Sequence, residues 1–560
     1  MRLFKRLQRF EQLYEIMLSV LVGIISGFVV YLFLWLIDFF NWIFFDNGRK
    51  ALFFLGEYYV IILPVVGGLI VGAMTHYLAK EVRGHGVPEV IADVALKNGF
   101  IPYKVVLVKT FAASICMGSG GSAGRVGAAV HVGSGMGSMV AQLFKVKPNI
   151  MRSLVACGAA GGIAASFHAP IGGVLFALEV ILGELKIRDL KMIIVSSICA
   201  AVTSEAILGG GLPVKFPSDI GFNFIELIFY LLLGIITGMF SFLFIKVFYL
   251  SENIFSSINA PDYLKPAMGG LIVGFTGFFY PQVFGVGMEH IEHMLYGYIP
   301  FGLLLMLLFL KIIATSITLG SGGSGGIFAP TIYIGAVLGC AFGFAVNFLF
   351  PSIVSTYSTY ALAGMVGMLS GAIFAPLSGI VLMFEVTNDY QLILPFMLVG
   401  VTSYFVTSSL TNYSIYTEKL NRRGFDLEKL NRTNVLNRIS VSSVMSKRVK
   451  VLSADMTVLQ VFLETLKTTY SAFPVVDNDR VIGVLSLKDI KREFIKNPNA
   501  KLKNIIKKDL ISLNADATLA DAVFLMQKND IGRIPVLESD KLVGIITRSD
   551  IVRAYAEAEK

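Results

Sequence analysis

The chain has 560 residues, 55% of them hydrophobic and only 15% charged, with a mean hydropathy of +0.72. That balance excludes an ordinary soluble enzyme. The net charge of +9 reads as positive loops against a membrane surface, and no basic face interleaved with aromatics points to nucleic acid.

The N-terminal segment, residues 1–15, carries Arg2, Lys5, Arg6 and Arg9, which favours a cytoplasmic start. Apolar runs follow at Met17–Ile37, Val60–Met74, Phe224–Phe248, Phe301–Thr315 and Ile393–Leu410. Several reach the length of a membrane helix; others are short and broken by Gly or Pro, as in transporters with interrupted helices. The first run is too long for a cleavable signal. Near residue 420 charges become frequent and short β-branched strands alternate with amphipathic helices. The sequence therefore divides into a helical multi-pass membrane domain (16–417), a linker (418–440) and a soluble α/β tail, with both termini expected in the cytoplasm of a prokaryotic cell. Cys116, Cys157, Cys199 and Cys340 lie far apart in apolar or Gly-rich context and read as packing residues.

The membrane domain is a duplication. "GHGVPE" at 84 matches "GVGMEH" at 285, "GSGGS" at 118 matches "GSGGS" at 320, and Ala169-Pro170 with Glu179 match Ala375-Pro376 with Glu385. The halves are about 16–205 and 220–417. The tail is duplicated at an offset of 61, with Pro474, Gly483 and Asp489 matching Pro535, Gly544 and Asp550; its units are taken as 441–497 and 498–560.

Irregular backbone inside a bilayer is tolerated only where it lines a cavity or is buried in protein. Glycine lets successive amides point one way, and each Gly-Ser cluster precedes an apolar stretch able to form a helix. Free N–H groups and the positive end of a helix dipole would then face the cavity and attract an anion. Close packing of helices through small residues is the alternative for one cluster; two at matched positions favour the anion site.

These segments resemble signatures of the CLC chloride channels and chloride/proton antiporters: "GHGVPE" (84–89), "GSAGRVGA" (121–128), "GGIFAP" (325–330), "FEVTNDYQLILP" (384–395) and "SIYTEKL" (414–420). The tail resembles a pair of CBS domains. The resemblance implies an all-α polytopic fold of tilted, broken helices in two inverted halves, in a homodimer with one pore per subunit. It places a central anion, chloride by expectation, on the Ile327 and Phe328 amides and the Tyr416 hydroxyl. His85 and Gly86 in the first signature, and Gly124, Arg125, Val126 and Gly127 in the second, complete the implied lining. His85 stands where the family has serine.

Val126 occupies the place of the glutamate that the family's antiporters use as gate and proton carrier. Val180 occupies the place of their second proton-transfer glutamate. Valine has no proton to exchange, so the resemblance implies a passive anion channel. The alternatives are an antiporter or fluoride exporter with another proton route, and a sensor whose membrane part barely conducts. Val126 either leaves an open path or forms a hydrophobic plug. Asp38, just past the first apolar run, is unassigned. Glu179 and Glu385 read as structural caps. Lys109 and Arg125 either raise the anion potential of the cavity or pair with a carboxylate such as Glu89. His131 reads as a packing or dimer-side residue. His290 and His293, with Glu289 and Glu292, have metal-like spacing without a third ligand.

CBS pairs commonly take adenosine nucleotides, so ATP, ADP or AMP is the expected ligand of the tail, with Thr547 and Asp550, and Ser486 and Asp489, as ribose partners. An empty assembly module is the alternative. No cofactor is required, and no nucleophile–base pair or metal cluster suggests an enzyme.

Overall fold

The computed structural model describes residues 2–183, 187–208, 221–353, 356–425, 436, 439–465, 472–477, 480–506, 510–529, 531–538 and 541–558, the side chains of 2–10, 80, 187–188, 289 and 555–558 excepted. The chain divides into two compact units, Met1–Gly424 and Phe425–Lys560.

The first half of the membrane unit comprises α1 (Arg2–Asn41), a short α2 (Gly48–Ala51), α3 (Tyr59–Tyr77), α4 (Val87–Leu96), α5 (Tyr103–Gly118), α6 (Arg125–Leu143), α7 (Pro148–Phe167), α8 (Pro170–Phe176) and α9 (Ile187–Leu208). The second half repeats the order without the short helix: α10 (Leu227–Ser257), α11 (Lys265–Phe279), α12 (Met288–Leu295), α13 (Phe301–Gly320), α14 (Phe328–Leu349), α15 (Tyr357–Ile373), α16 (Pro376–Thr387) and α17 (Ile393–Leu410), with α18 (Thr417–Arg422) closing the unit. Eight helices among the described residues are long and apolar enough to cross a bilayer.

Helix α10 shows why an apolar chain folds this way. Ile228, Leu231, Leu232, Ile235 and Met239 are exposed on it, whereas Gly234, Thr237, Gly238 and Ser241 are buried. Lipid takes the branched side chains, and small residues face protein, where close helix approach replaces the hydrophobic drive. The tightest approaches are the repeat-matched pairs α6–α7 and α14–α15. A Cβ on Gly133 or Gly158 would collide with the other's backbone, as it would between Gly335 and Gly364.

Helix α1 runs unbroken from Arg2 into the first apolar run. One boundary differs from the sequence expectation. The membrane unit does not end at 417, because α18 is packed into it and Lys419 is buried in an ion pair with Glu89. Much of the remaining linker, 426–435 and 437–438, lies outside the described residues.

The tail holds two three-stranded sheets, β1 (Leu452–Ser453), β2 (Ala472–Asp477), β3 (Arg480–Ser486), and β4 (Leu513–Asn514), β5 (Arg533–Glu538), β6 (Lys541–Thr547). In each, a parallel pair adjoins an antiparallel one, and the register repeats: Leu452 faces Val475 as Leu513 faces Val536. Within the 441–497 and 498–560 division, the leading residues of each unit pack in the other's core. Val441 packs with Leu519, Ile534, Val536 and Ile546 in the second core, and its amide donates to the Ala517 carbonyl at 2.8 Å. Leu502 packs with Val458, Phe473 and Val475 in the first, and its amide donates to Met456 at 3.0 Å. Each unit thus lends its leading segment to the other. A charge at Val441 should therefore destabilise the second core by about 3 kcal/mol. In Val441→Asp, hydrogen exchange should rise in 513–554 before it rises in 452–490; the reverse order would contradict the exchange.

Candidate functional site

Four segments meet in the membrane unit: the turn before α4, the cluster before α6, the cluster before α14, and residues 414–416 before α18. Two pairs of backbone hydrogen bonds join the halves. The Gly84 amide donates to Gly323 at 3.0 Å and the Gly325 amide to Gly84 at 3.3 Å; Gly124 and Gly326 exchange amide–carbonyl bonds of 2.6 and 2.7 Å. Gly84 and Gly86 both take φ of +83°, a conformation glycine adopts without strain. Gly127 lies so close to Gly326 and the His85 carbonyl that a Cβ would sit 2.8 and 2.9 Å from them.

Three helices therefore start within this cluster. Their N-cap residues are Gly86, Gly124 and Ile327, none of which has a side-chain oxygen to cap the first turn. The starts of α8 and α16 differ. Glu385 accepts from the Ile171 and Gly172 amides at 2.8 and 2.6 Å, and Glu179 accepts from the Ser378 amide at 2.8 Å and from its hydroxyl. Each half supplies the carboxylate that stops a helix of the other. Both glutamates are consumed as caps, as their repeat-matched positions suggest.

His85 and Tyr416 aim unpaired polar atoms into the cluster. His85 and Tyr416 are each 1% exposed, their rings are 5.6 Å apart, and neither ring nitrogen of His85 nor the Tyr416 hydroxyl has a partner among the described residues. Buried polar atoms left unpaired cost about 1–3 kcal/mol each; a ligand that accepts hydrogen bonds would recover that cost. Phe248 covers His85 at 5.3 Å, and Phe328 packs between Phe167 and Phe176. Val126 is fully buried in the first turn of α6. Val180 lies in the π-helical turn Ala177–Leu182 that extends α8.

Lys109 does not pair with Glu89. Its ammonium donates to the Val82 and Gly84 carbonyls at 3.0 and 2.6 Å, clamping the glycine turn, and Lys311 does the same for Val283 and Gly285, both at 3.0 Å. Lys311 was legible as the residue 202 positions after Lys109, but nothing polar around it draws attention. Glu89 instead takes Lys419 at 2.7 Å and Arg423 at 3.2 Å. His131 is fully buried and faces Gly86, inside the unit. His293 rests on Tyr298, and no group of three metal-ligating side chains occurs among the described residues; the Glu289 side chain lies outside them.

In the tail, Ser486 and Asp489 open onto a cavity of about 700 Å³ that also includes Arg492 and Arg533. Thr547 and Asp550 do not line it. Both carboxylates cap helices: Asp489 accepts from the Ser486 hydroxyl at 2.6 Å and Asp550 from the Thr547 hydroxyl at 2.7 Å. The four expected ribose partners are thus two repeat-matched caps, one pair of which faces a cavity.

Residues 67–408 match the family described as "Voltage gated chloride channel", and 441–496 and 502–557 match the CBS domain. The chain belongs to that chloride channel family. A Ralstonia nicotianae protein named as a ClcB-like chloride channel is 32% identical over 66% of this chain and 87% of its own. The H(+)/Cl(-) exchange transporter ClcA of Vibrio campbellii is 32% identical over 63% and 79%. A slow cyanobacterial Cl-/H+ antiporter shares the fold at a TM-score of 0.68 and 22% identity, covering 75% of this chain and 99% of its own. A eukaryotic CLC transporter covers 96% and 98% at a TM-score of 0.64 and 20% identity. The protein is a multi-pass CLC membrane protein, all-α in its membrane unit, with an α/β CBS pair.

Removing Lys419 leaves Glu89 buried with only the half-exposed Arg423. Lys419→Met should destabilise the membrane unit by about 3 kcal/mol, read as a lower melting temperature in detergent, and Glu89→Gln in the same chain should recover most of it.

Proposed function

We propose that the membrane unit is a passive pathway for inorganic anions, chloride foremost, with one pore in each subunit of a homodimer in a prokaryotic plasma membrane. The observation that carries this reading is the residue at the start of α6. Three uncapped helix starts, the Ile327 and Phe328 amides, His85 and Tyr416 offer neutral donors to an anion. Beside them the chain places Val126, which neither competes with the anion nor takes up a proton. Val180 repeats the loss at the second position, and Glu179 beside it is spent on capping Ser378. Binding by neutral donors is weak enough for release, as conduction requires.

The test is chloride efflux from liposomes with valinomycin, with pH recorded in the same sample. Fast efflux without linked proton movement is expected; protons moving in fixed ratio to chloride would overturn the reading in favour of exchange. Val126→Glu should slow efflux at neutral pH without creating stoichiometric exchange, because Val180 remains.

The tail is proposed to regulate this flux by binding an adenosine nucleotide in the 700 Å³ cavity, where Arg492 and Arg533 meet the phosphates and Asp489 the ribose. ATP, ADP or AMP should change the efflux rate, and Arg533→Ala should weaken the response at least tenfold in nucleotide concentration. An unaltered response in that variant would remove the cavity from the mechanism.

A further inference from the structure

A second cavity, of about 530 Å³, opens in front of α6. Its wall includes Asp38 from α1, Arg125 from α6, the Gly285–Gly287 turn and His290 from α12. His85, Tyr416 and Ile327 do not line it, so it is distinct from the cluster where those side chains meet. The two are joined by one turn of α6. Arg125 faces this cavity, Val126 is buried behind it, and Gly127 rests on the His85 carbonyl.

Asp38 and Arg125 bring opposite charges into the same space and act on one another. The Arg125 Nε has no hydrogen-bond partner among the described residues, so the guanidinium keeps capacity for a further anion. Asp38 is exposed on the last turn of α1. Trp35 stacks on Phe39 at 5.3 Å and Phe39 leans against Trp42 at 6.3 Å; tryptophan is a residue of the membrane–water interface, which on this reading gives the carboxylate access to water and protons. The charged or titratable groups lining the cavity are Asp38, Arg125 and His290. At the other end of α1, Lys147 pairs with Glu11 at 3.4 Å, and Lys109 on α5 is held by the Val82 and Gly84 carbonyls.

We propose that this cavity is the approach to the anion site and that Asp38 is its gate. Ionised, the Asp38 carboxylate is a tethered anion in the field of Arg125 and cancels the attraction for chloride. Protonated, it leaves Arg125 a full positive charge one residue from Val126, and anions enter. The gate accepts and returns its proton on the cavity side, so it makes flux pH-dependent without coupling protons to anions. This inference rests on anion flux through the membrane unit, and it supplies from α1 a carboxylate function that α6 lacks.

The experiment uses the full chain in liposomes at equal pH on both sides, from about pH 4.5 to 8, spanning the usual carboxylate range and above. Wild-type chloride efflux should rise several-fold toward acid. Asp38→Asn should be fast at every pH, Asp38→Glu should keep the acid-dependent rise, and His290→Gln should leave it in place. Chloride affinity by titration calorimetry, which needs no flux, should be several-fold tighter at pH 8 in Asp38→Asn than in wild type. An Asp38→Asn protein with the wild-type pH profile and affinity, or one that is folded and no longer transports, would overturn the gate. Proton movement recorded in parallel reports separately on the passive reading: stoichiometric coupling in wild type would sink that reading, and the affinity comparison would still decide the role of Asp38.

Discussion

Inside a bilayer, backbone that leaves a helix must find partners for its amides and carbonyls without water. The structure depends on how it meets that constraint at one place. Two miniature ladders, Gly84 with Gly323 and Gly325, and Gly124 with Gly326, satisfy the interrupted backbone by pairing one half of the chain with the other. Lys109 and Lys311 finish the task from behind, each neutralising two carbonyls of a glycine turn. Once those groups are paired, the helix starts beside them can remain uncapped and available to an ion.

The contrast between stopped and open helix starts then assigns roles within an almost symmetric repeat. Glu179 and Glu385 close α16 and α8 from the opposite halves, which both quenches two dipoles and staples the duplicates together. Helices α4, α6 and α14 receive no such stopper from their own caps. The symmetry breaks at the side chains: His85 corresponds to Val286, so the donor-rich turn belongs to the first half, while its apolar counterpart borders the Arg125 cavity.

Much of this was legible because duplication makes short motifs visible twice. The Gly-Ser clusters, the two Ala-Pro helix starts and the strand pairs of the tail stand where their offsets predict. The helices that escaped the apolar scan explain themselves: Pro148–Phe167 is 89% buried and built from Gly, Ala and Ser, so protein rather than lipid surrounds it and its hydropathy is modest. The partner of Glu89 was also out of reach, since Lys419 lies 330 residues away. Asp38 looked isolated in sequence, and only the fold brings α1 alongside α6. In the tail the offset of 61 places the two repeats, but a sequence period does not say which core a repeat's first residues enter.

That last exchange has a consequence for biosynthesis. Val441 leaves the ribosome before any of its packing partners, which lie between Leu513 and Ala554. At the usual pace of translation it waits on the order of ten seconds for the core it completes. The first core does not wait: its residues, Leu452 to Leu502, all leave the ribosome before Leu513. The first repeat can therefore close while the second is still being made, and Val441 takes its place last, once the segment from Leu513 to Ala554 has emerged.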